Sequence, residues 1–110
     1  MFKNKPDVFQ AIADPTRRAI LVMLATQALP VNALAENFEM SRPAVSKHIK
    51  VLHESGLVKI TDSGRERYCT LNQLGFKEVT NWFAYFDKFW NEKLNNLENF
   101  LNQQHKTNEP

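Results

Sequence analysis

Two short helical patterns separated by only two residues constrain this chain more than any other feature. In Val31-Asn32-Ala33-Leu34-Ala35-Glu36-Asn37-Phe38, the residues Val31, Leu34, Ala35 and Phe38 fall at i, i+3, i+4 and i+7, the spacing of an amphipathic helix. Glu39 and Met40 follow, and Ser41 then stands where its hydroxyl can cap the first turn of a second helix. Helices joined by so short a turn cannot lie antiparallel and must cross steeply, which is the helix-turn-helix geometry.

The second helix, Ser41 to Leu52, has two contrasting faces. Val45, Ile49 and Leu52 share one at helical spacing. Ser46, Lys47 and Lys50 share the other, with Arg42 and Pro43 at the leading end and no carboxylate before Glu54. Hydroxyl, ammonium and guanidinium groups are the types that reach phosphates and base edges. A solvated basic surface helix would share this pattern, so the residues downstream of it decide. Gly56, in Glu54-Ser55-Gly56, suits a left-handed helix stop. Leu57 to Thr61 and Glu66 to Leu71 then read as strands around the turn-rich tetrapeptide Asp62-Ser63-Gly64-Arg65. A helix-turn-helix followed by a β-hairpin is a winged helix, and this ordering predicts a mainly α fold with a small β-hairpin.

Charge is distributed to match. The 110 residues carry a net charge of only +2, yet residues 41–75 hold six basic side chains against three acidic ones. Residues 1–40 are neutral and residues 76–110 carry a net −1. Positive charge is thus concentrated in the second helix and the hairpin, the electrostatic footprint expected of a DNA reader. No apolar run approaches the roughly 20 residues that span a bilayer, and the N-terminus lacks a signal-peptide pattern. The single cysteine, Cys69, excludes an internal disulfide and suits the cytoplasm. With three glycines, no phosphate loop and no nucleophile–histidine–carboxylate set, the chain does not read as an enzyme.

Towards the N-terminus, Val8, Phe9, Ile12 and Ala13 give a short helix with one apolar stripe, and Asp14-Pro15 starts the next with a cap and a first-turn proline. Ile20, Leu21 and Leu24 supply the core face of that second helix. The last third is different. Six aromatics lie between Trp82 and Trp90, and Leu94, Leu97 and Leu101 continue the stripe through Phe83, Phe86 and Trp90. The spacing predicts one long helix whose apolar band exceeds what its own small domain can cover, and aromatics at this density suit the centre of an interface. Gly75 is expected to break or kink the chain near the helix start. Residues 1–101 are expected to form one DNA-binding and dimerisation domain, with 102–110 a polar, flexible tail.

On these residues the chain resembles the ArsR family of bacterial winged-helix repressors. The resemblance is carried by Phe9 to Leu21 with its Asp14-Pro15-Thr16-Arg17 block, by Leu34-Ala35, and by Ser41 to Leu52 with its Ser-x-x-x-x-Ser-x-His run. Glu54 to Val58 and Gly64 to Tyr68 extend it, so that it covers about residues 7 to 101. It implies a homodimeric, sequence-specific regulator of transcription, usually a repressor that leaves DNA when an effector or signal arrives. Two recognition helices about 34–36 Å apart would then require an operator with inverted symmetry.

The expected DNA-binding residues are Ser41, Arg42, Pro43, Ser46, Lys47, His48 and Lys50, with Arg65 and Arg67 on the hairpin. His48 sits beside the buried face, where a structural role is favoured over a phosphate contact. In the family mode Arg17 and Arg18 could touch phosphates, but a solvated or salt-bridged pair is the simpler reading. The expected dimer interface comprises Val8 and Phe9 with Trp82, Phe83, Phe86, Phe89, Trp90, Leu94, Leu97 and Leu101. Metal-sensing members of the family carry cysteines on the helix that here runs Val31 to Phe38, or histidine-containing sites between the C-terminal helices. Neither thiolate nor imidazole stands at those places in this chain, so no metal and no cofactor are expected. The partners expected are double-stranded DNA, a second copy of the chain and an unidentified effector, with no membrane. A redox- or small-ligand-responsive repressor and a nonspecific architectural DNA binder are the alternatives.

Overall fold

A computed structural model describes the backbone of residues 5–107 and the side chains of residues 5–104. Helix α1 (Val8–Ile12) opens on a reciprocal cap: Asp7 Oδ1 accepts from the Gln10 backbone at 2.7 Å, and Gln10 Oε1 accepts from the Asp7 N–H at 3.0 Å. Helix α2 (Pro15–Met23) follows at once, with Asp14 accepting from the Arg17 N–H at 3.0 Å. Strand β1 (Leu29–Pro30) leads into α3 (Val31–Ala35), and a turn of six residues leads to α4 (Arg42–Glu54). Ser41 Oγ accepts from the Ala44 N–H at 3.2 Å, as its position before the helix requires. The helix α3 is shorter than the pattern Val31–Phe38 suggests, because Asn37 and Phe38 turn back on i−3 carbonyls.

The end of α4 fixes where the hairpin begins. Leu57 N–H bonds to Leu52 O at 3.0 Å and Gly56 N–H to His53 O at 3.1 Å, the paired 6→1 and 5→2 bonds of a Schellman stop. Gly56 takes φ +87° there, which side chains rarely adopt. Strands β2 (Val58–Ser63) and β3 (Glu66–Leu71) pair antiparallel from Val58↔Leu71 to Ser63↔Glu66, leaving Gly64-Arg65 as a two-residue loop. The strands thus claim Asp62 and Ser63 from the expected four-residue turn. Strand β1 adds a third, unforeseen strand, Leu29 opposite Cys69 and Pro30 opposite Tyr68, giving the order β1-β3-β2.

Helices and sheet close over one core of Val8, Ala11, Ile20, Leu21, Leu24, Leu34, Val45, Ile49, Leu52, Leu57, Val58 and Cys69. Val8 is only 1% exposed. Its own domain already covers it, which corrects its assignment to a dimer interface; Phe9 also packs against this core.

Helix α5 (Gln73–Ala84) and helix α6 (Asp87–Thr107) replace the single long helix expected through the aromatic run. At Tyr85 and Phe86 the backbone tightens to i−3 bonds, Tyr85 N–H to Trp82 O at 3.2 Å and Phe86 N–H to Phe83 O at 3.0 Å. Helix α6 also carries residues 102–107 in helical conformation, where a flexible tail was expected; residues 108–110 of that tail lie outside the described residues. Gly75 does not break the chain. It is buried inside α5, where an added Cβ would collide with the Gly56 carbonyl oxygen and lie 2.6 Å from its carbon. The glycine is there for a close backbone approach.

Contacts divide the chain into two compact units, residues 1–79 and 80–110. In the second unit Trp82, Phe83, Tyr85, Phe86, Phe89, Trp90, Leu94, Leu97, Phe100 and Leu101 are all exposed. Edge-to-face contacts link Trp82 to Phe83 (5.2 Å) and Phe86 (5.0 Å), and Phe89 to Trp90 (5.1 Å).

Candidate nucleic-acid interface

The core-facing residues of α4 decide which of its side chains remain outside. Burial of Val45, Ile49 and Leu52 leaves Arg42, Pro43, Ser46, Lys47 and Lys50 exposed, with Ser41 exposed at the cap. The outward face is the polar, cationic one.

Hairpin and helix meet around two clefts. One, of about 270 Å³, is lined by Pro30, Val31, Asn32, Arg42, Ser46, Arg65, Glu66 and Arg67. Three guanidinium groups, one from α4 and two from the hairpin, therefore border one hollow. Its one carboxylate among the described residues, Glu66, accepts from the Tyr68 hydroxyl at 2.9 Å, which pushes the Tyr68 phenol above its ordinary range. A second cleft, of about 360 Å³, lies between Val31, Ser46, Ile49, Lys50, His53, Ile60 and Arg67. Arg67 borders both and is steadied from across the hairpin by Asp62, 3.4 Å from its Nε. Asn32, at the start of α3, is a polar cleft residue that the sequence did not single out; only its approach to the hairpin, a non-local event, reveals it.

The opposite flank of α4 faces α1 and α2. Lys47 is exposed and borders neither cleft. His48 turns partly inward, with 23% of its side chain exposed; its Nδ1 lies 3.3 Å from Arg17 Nη1 and 3.8 Å from Asp14 Oδ2. Arg17 is occupied further, donating from Nε to Ala11 O at 2.7 Å and from Nη2 to Gln10 O at 3.2 Å. Arg18 donates to Ile12 O at 2.9 Å. Both arginines thus close the carbonyl end of α1, a role neither expected alternative named. The Arg17 N–H bond to Asp14 is the main cause that holds that carboxyl below its ordinary range, against the opposing effect of burial and with help from His48 and Arg17.

Cys69 is fully buried opposite Leu29 and Ile60. Burial pushes its thiol up, only partly countered by Arg67. Among the described residues, no group of three or more histidine, cysteine or acidic side chains is placed to hold a metal ion. None of the described helices is long and apolar enough to cross a membrane.

Comparison with known proteins agrees with this arrangement. Residues 14–59, from the Asp14 cap through α4 into β2, match the family model described as "Bacterial regulatory protein, arsR family". The transcriptional repressor SdpR of Bacillus subtilis (strain 168) is 34% identical over 80 residues, covering 73% of this chain and 89% of SdpR. The HTH-type transcriptional regulator Rv2034 of Mycobacterium tuberculosis is 38% identical over 93 residues, 84% of each chain. Among solved structures, a crystal structure of an ArsR family transcriptional regulator superposes with a TM-score of 0.70 at 39% identity, over 76% of this chain and 92% of that one. The chain belongs to the ArsR family of bacterial transcriptional regulators.

Proposed function

We propose that this regulator is a homodimeric repressor that binds an inverted-repeat operator in double-stranded DNA, in the cytoplasm. One observation carries the reading: Arg42, Arg65 and Arg67 converge on one cleft beside the exposed cationic face of α4. That is the combination a major-groove helix and a backbone-tracking wing require. The residues assigned to DNA are Ser41, Arg42, Pro43, Ser46, Lys47, His48, Lys50, Arg65 and Arg67, and Asn32 joins them. SdpR, a relative over most of its length, is named a transcriptional repressor, which supports repression as the sign of regulation. Family members regulate transcription and are not enzymes.

Dimerisation is assigned to Trp82, Phe83, Phe86, Phe89, Trp90, Leu94, Leu97 and Leu101. All are large, apolar and exposed within one compact unit. A single chain with so much uncovered aromatic surface has a strong drive to associate. The redox alternative loses support, because the only cysteine is buried with its thiol pushed up, the opposite of a reactive thiolate.

The experiment is selection from sheared genomic DNA at physiological salt, followed by sequencing of the bound fragments. Enrichment of a few fragments sharing an inverted repeat is expected. A flat profile would count against sequence-specific repression and favour the nonspecific binder.

A further inference from the structure

We propose that His48 donates a hydrogen bond from Nε2 to a DNA phosphate, and that Arg17 fixes its ring in the neutral tautomer able to do so. The proposal rests on the reading of α4 as the DNA-entering helix.

The tautomer follows from the partner. Arg17 Nη1 stands 3.3 Å from His48 Nδ1, and a guanidinium can only donate. Nδ1 must therefore be the unprotonated acceptor, and the ring proton sits on Nε2. Asp14 Oδ2, at 3.8 Å from the same nitrogen, is too far to accept a hydrogen bond from it. That oxygen already accepts from the Arg17 backbone. Arg17 cannot swing away cheaply, because Nε and Nη2 are held by the Ala11 and Gln10 carbonyls.

Nε2 is then the free end of the ring. It makes no hydrogen bond to a described residue, and 23% of the His48 side chain is exposed. Its place on α4 matters. A helix in a major groove lies between two phosphate walls. Arg42, Arg65 and Arg67 serve the hairpin side, while the flank towards α1 and α2 presents His48. On that flank an Nε2–H offers a phosphate oxygen a donor, whereas the other neutral tautomer would offer it a lone pair. The interior network thus decides whether the helix edge attracts or repels the backbone. Arg17 is the positioning residue for this bond, and Asp14 touches it only through the Arg17 backbone.

The test combines nitrogen-15 NMR of the imidazole with two near-isosteric substitutions. In alkaline solution the free protein is expected to show the proton on Nε2; a proton on Nδ1 would overturn the proposal. His48→Gln keeps an amide donor near the Nε2 position, and His48→Asn places its amide nearer Nδ1. Because phosphate contacts act on all sequences alike, the probe is a random-sequence duplex of about four helical turns. His48→Gln is expected to bind it within about twofold of the wild type, and His48→Asn about tenfold more weakly, the loss of one charge-assisted hydrogen bond. Equal affinities for the two variants would sink the phosphate bond. Lys47→Ala and Lys50→Ala on the same duplex check the underlying reading separately. If neither weakens binding, α4 does not enter DNA and both ideas fall, whatever the tautomer.

Discussion

Asp14 shows how one side chain sets both a helix start and a pH dependence. Its carboxylate caps α2 and lies beside the pair Arg17 and His48. Because the folded protein holds this carboxyl below its ordinary range, the folded state binds its proton less readily than the unfolded chain does. The resulting stability is fully present above the unfolded titration and disappears as pH falls through the folded one, below about pH 4. Asp14→Ala is therefore expected to lose about 1 kcal/mol at neutral pH. In urea titrations the gap between variant and wild type should narrow in acid, and a gap that stays constant would contradict the assignment. Gly75 offers a harsher test. A methyl group there meets the Gly56 carbonyl, which is backbone and cannot step aside. Gly75→Ala is expected to destabilise the fold by about 2 kcal/mol or more, read as a lowered denaturation midpoint, whereas Gly75→Ala at wild-type stability would mean that the approach is looser than described.

At the scale of elements, the recognition helix and the hairpin were legible because their signals are local. Ser41, the spacing Val45-Ile49-Leu52 and Gly56 fix α4 at both ends without reference to the rest of the chain. The Glu66–Leu71 strand is read from its own residues in the same way. Strand β1 was not legible: two residues, one of them proline, become a strand only because Cys69 and Tyr68 lie beside them. The interruption at Tyr85 and Phe86 was hidden for a related reason, since neither glycine nor proline marks it and the apolar spacing continues across it. The convergence of Arg42 with Arg65 and Arg67 needed the fold as well, because over 20 residues separate the helix start from the hairpin loop in the sequence. Arg42, Arg65 and Lys50 make a joint prediction. Alanine at Arg42, Lys50 or Arg65 should weaken binding across DNA sequences and lower the salt dependence by about one unit for each phosphate no longer neutralised. Unchanged salt slopes in a fluorescence-anisotropy series would remove that residue from the interface.

At the scale of the whole molecule, the central expectation is that one chain is not the functional unit. Sedimentation equilibrium at micromolar concentration should give twice the 12.8 kDa of the chain, and a mass near 12.8 kDa would refute the dimer. Leu97→Glu places a charge in the exposed stripe of α6 and is expected to yield monomers that bind operator DNA at least about tenfold more weakly, through loss of the second half-site. Both tryptophans, Trp82 and Trp90, lie in the unit assigned to dimerisation and are about half exposed in the single chain. Dilution below the dissociation constant should therefore shift their emission to the red, and a spectrum independent of concentration would argue that these rings are not covered by a partner.

The close approach of Gly75 to Gly56 has a mechanical consequence. Elsewhere in a core, side chains can change rotamer and absorb small movements. Here two stretches of main chain bear directly on each other, and one of them is the stop of the helix assigned to DNA. The spacing of the first turn of α5 from the end of α4 is therefore set by main chain alone. This joint has no cushion, so a disturbance at either glycine is felt at once by the stop of α4 and by the first turn of α5.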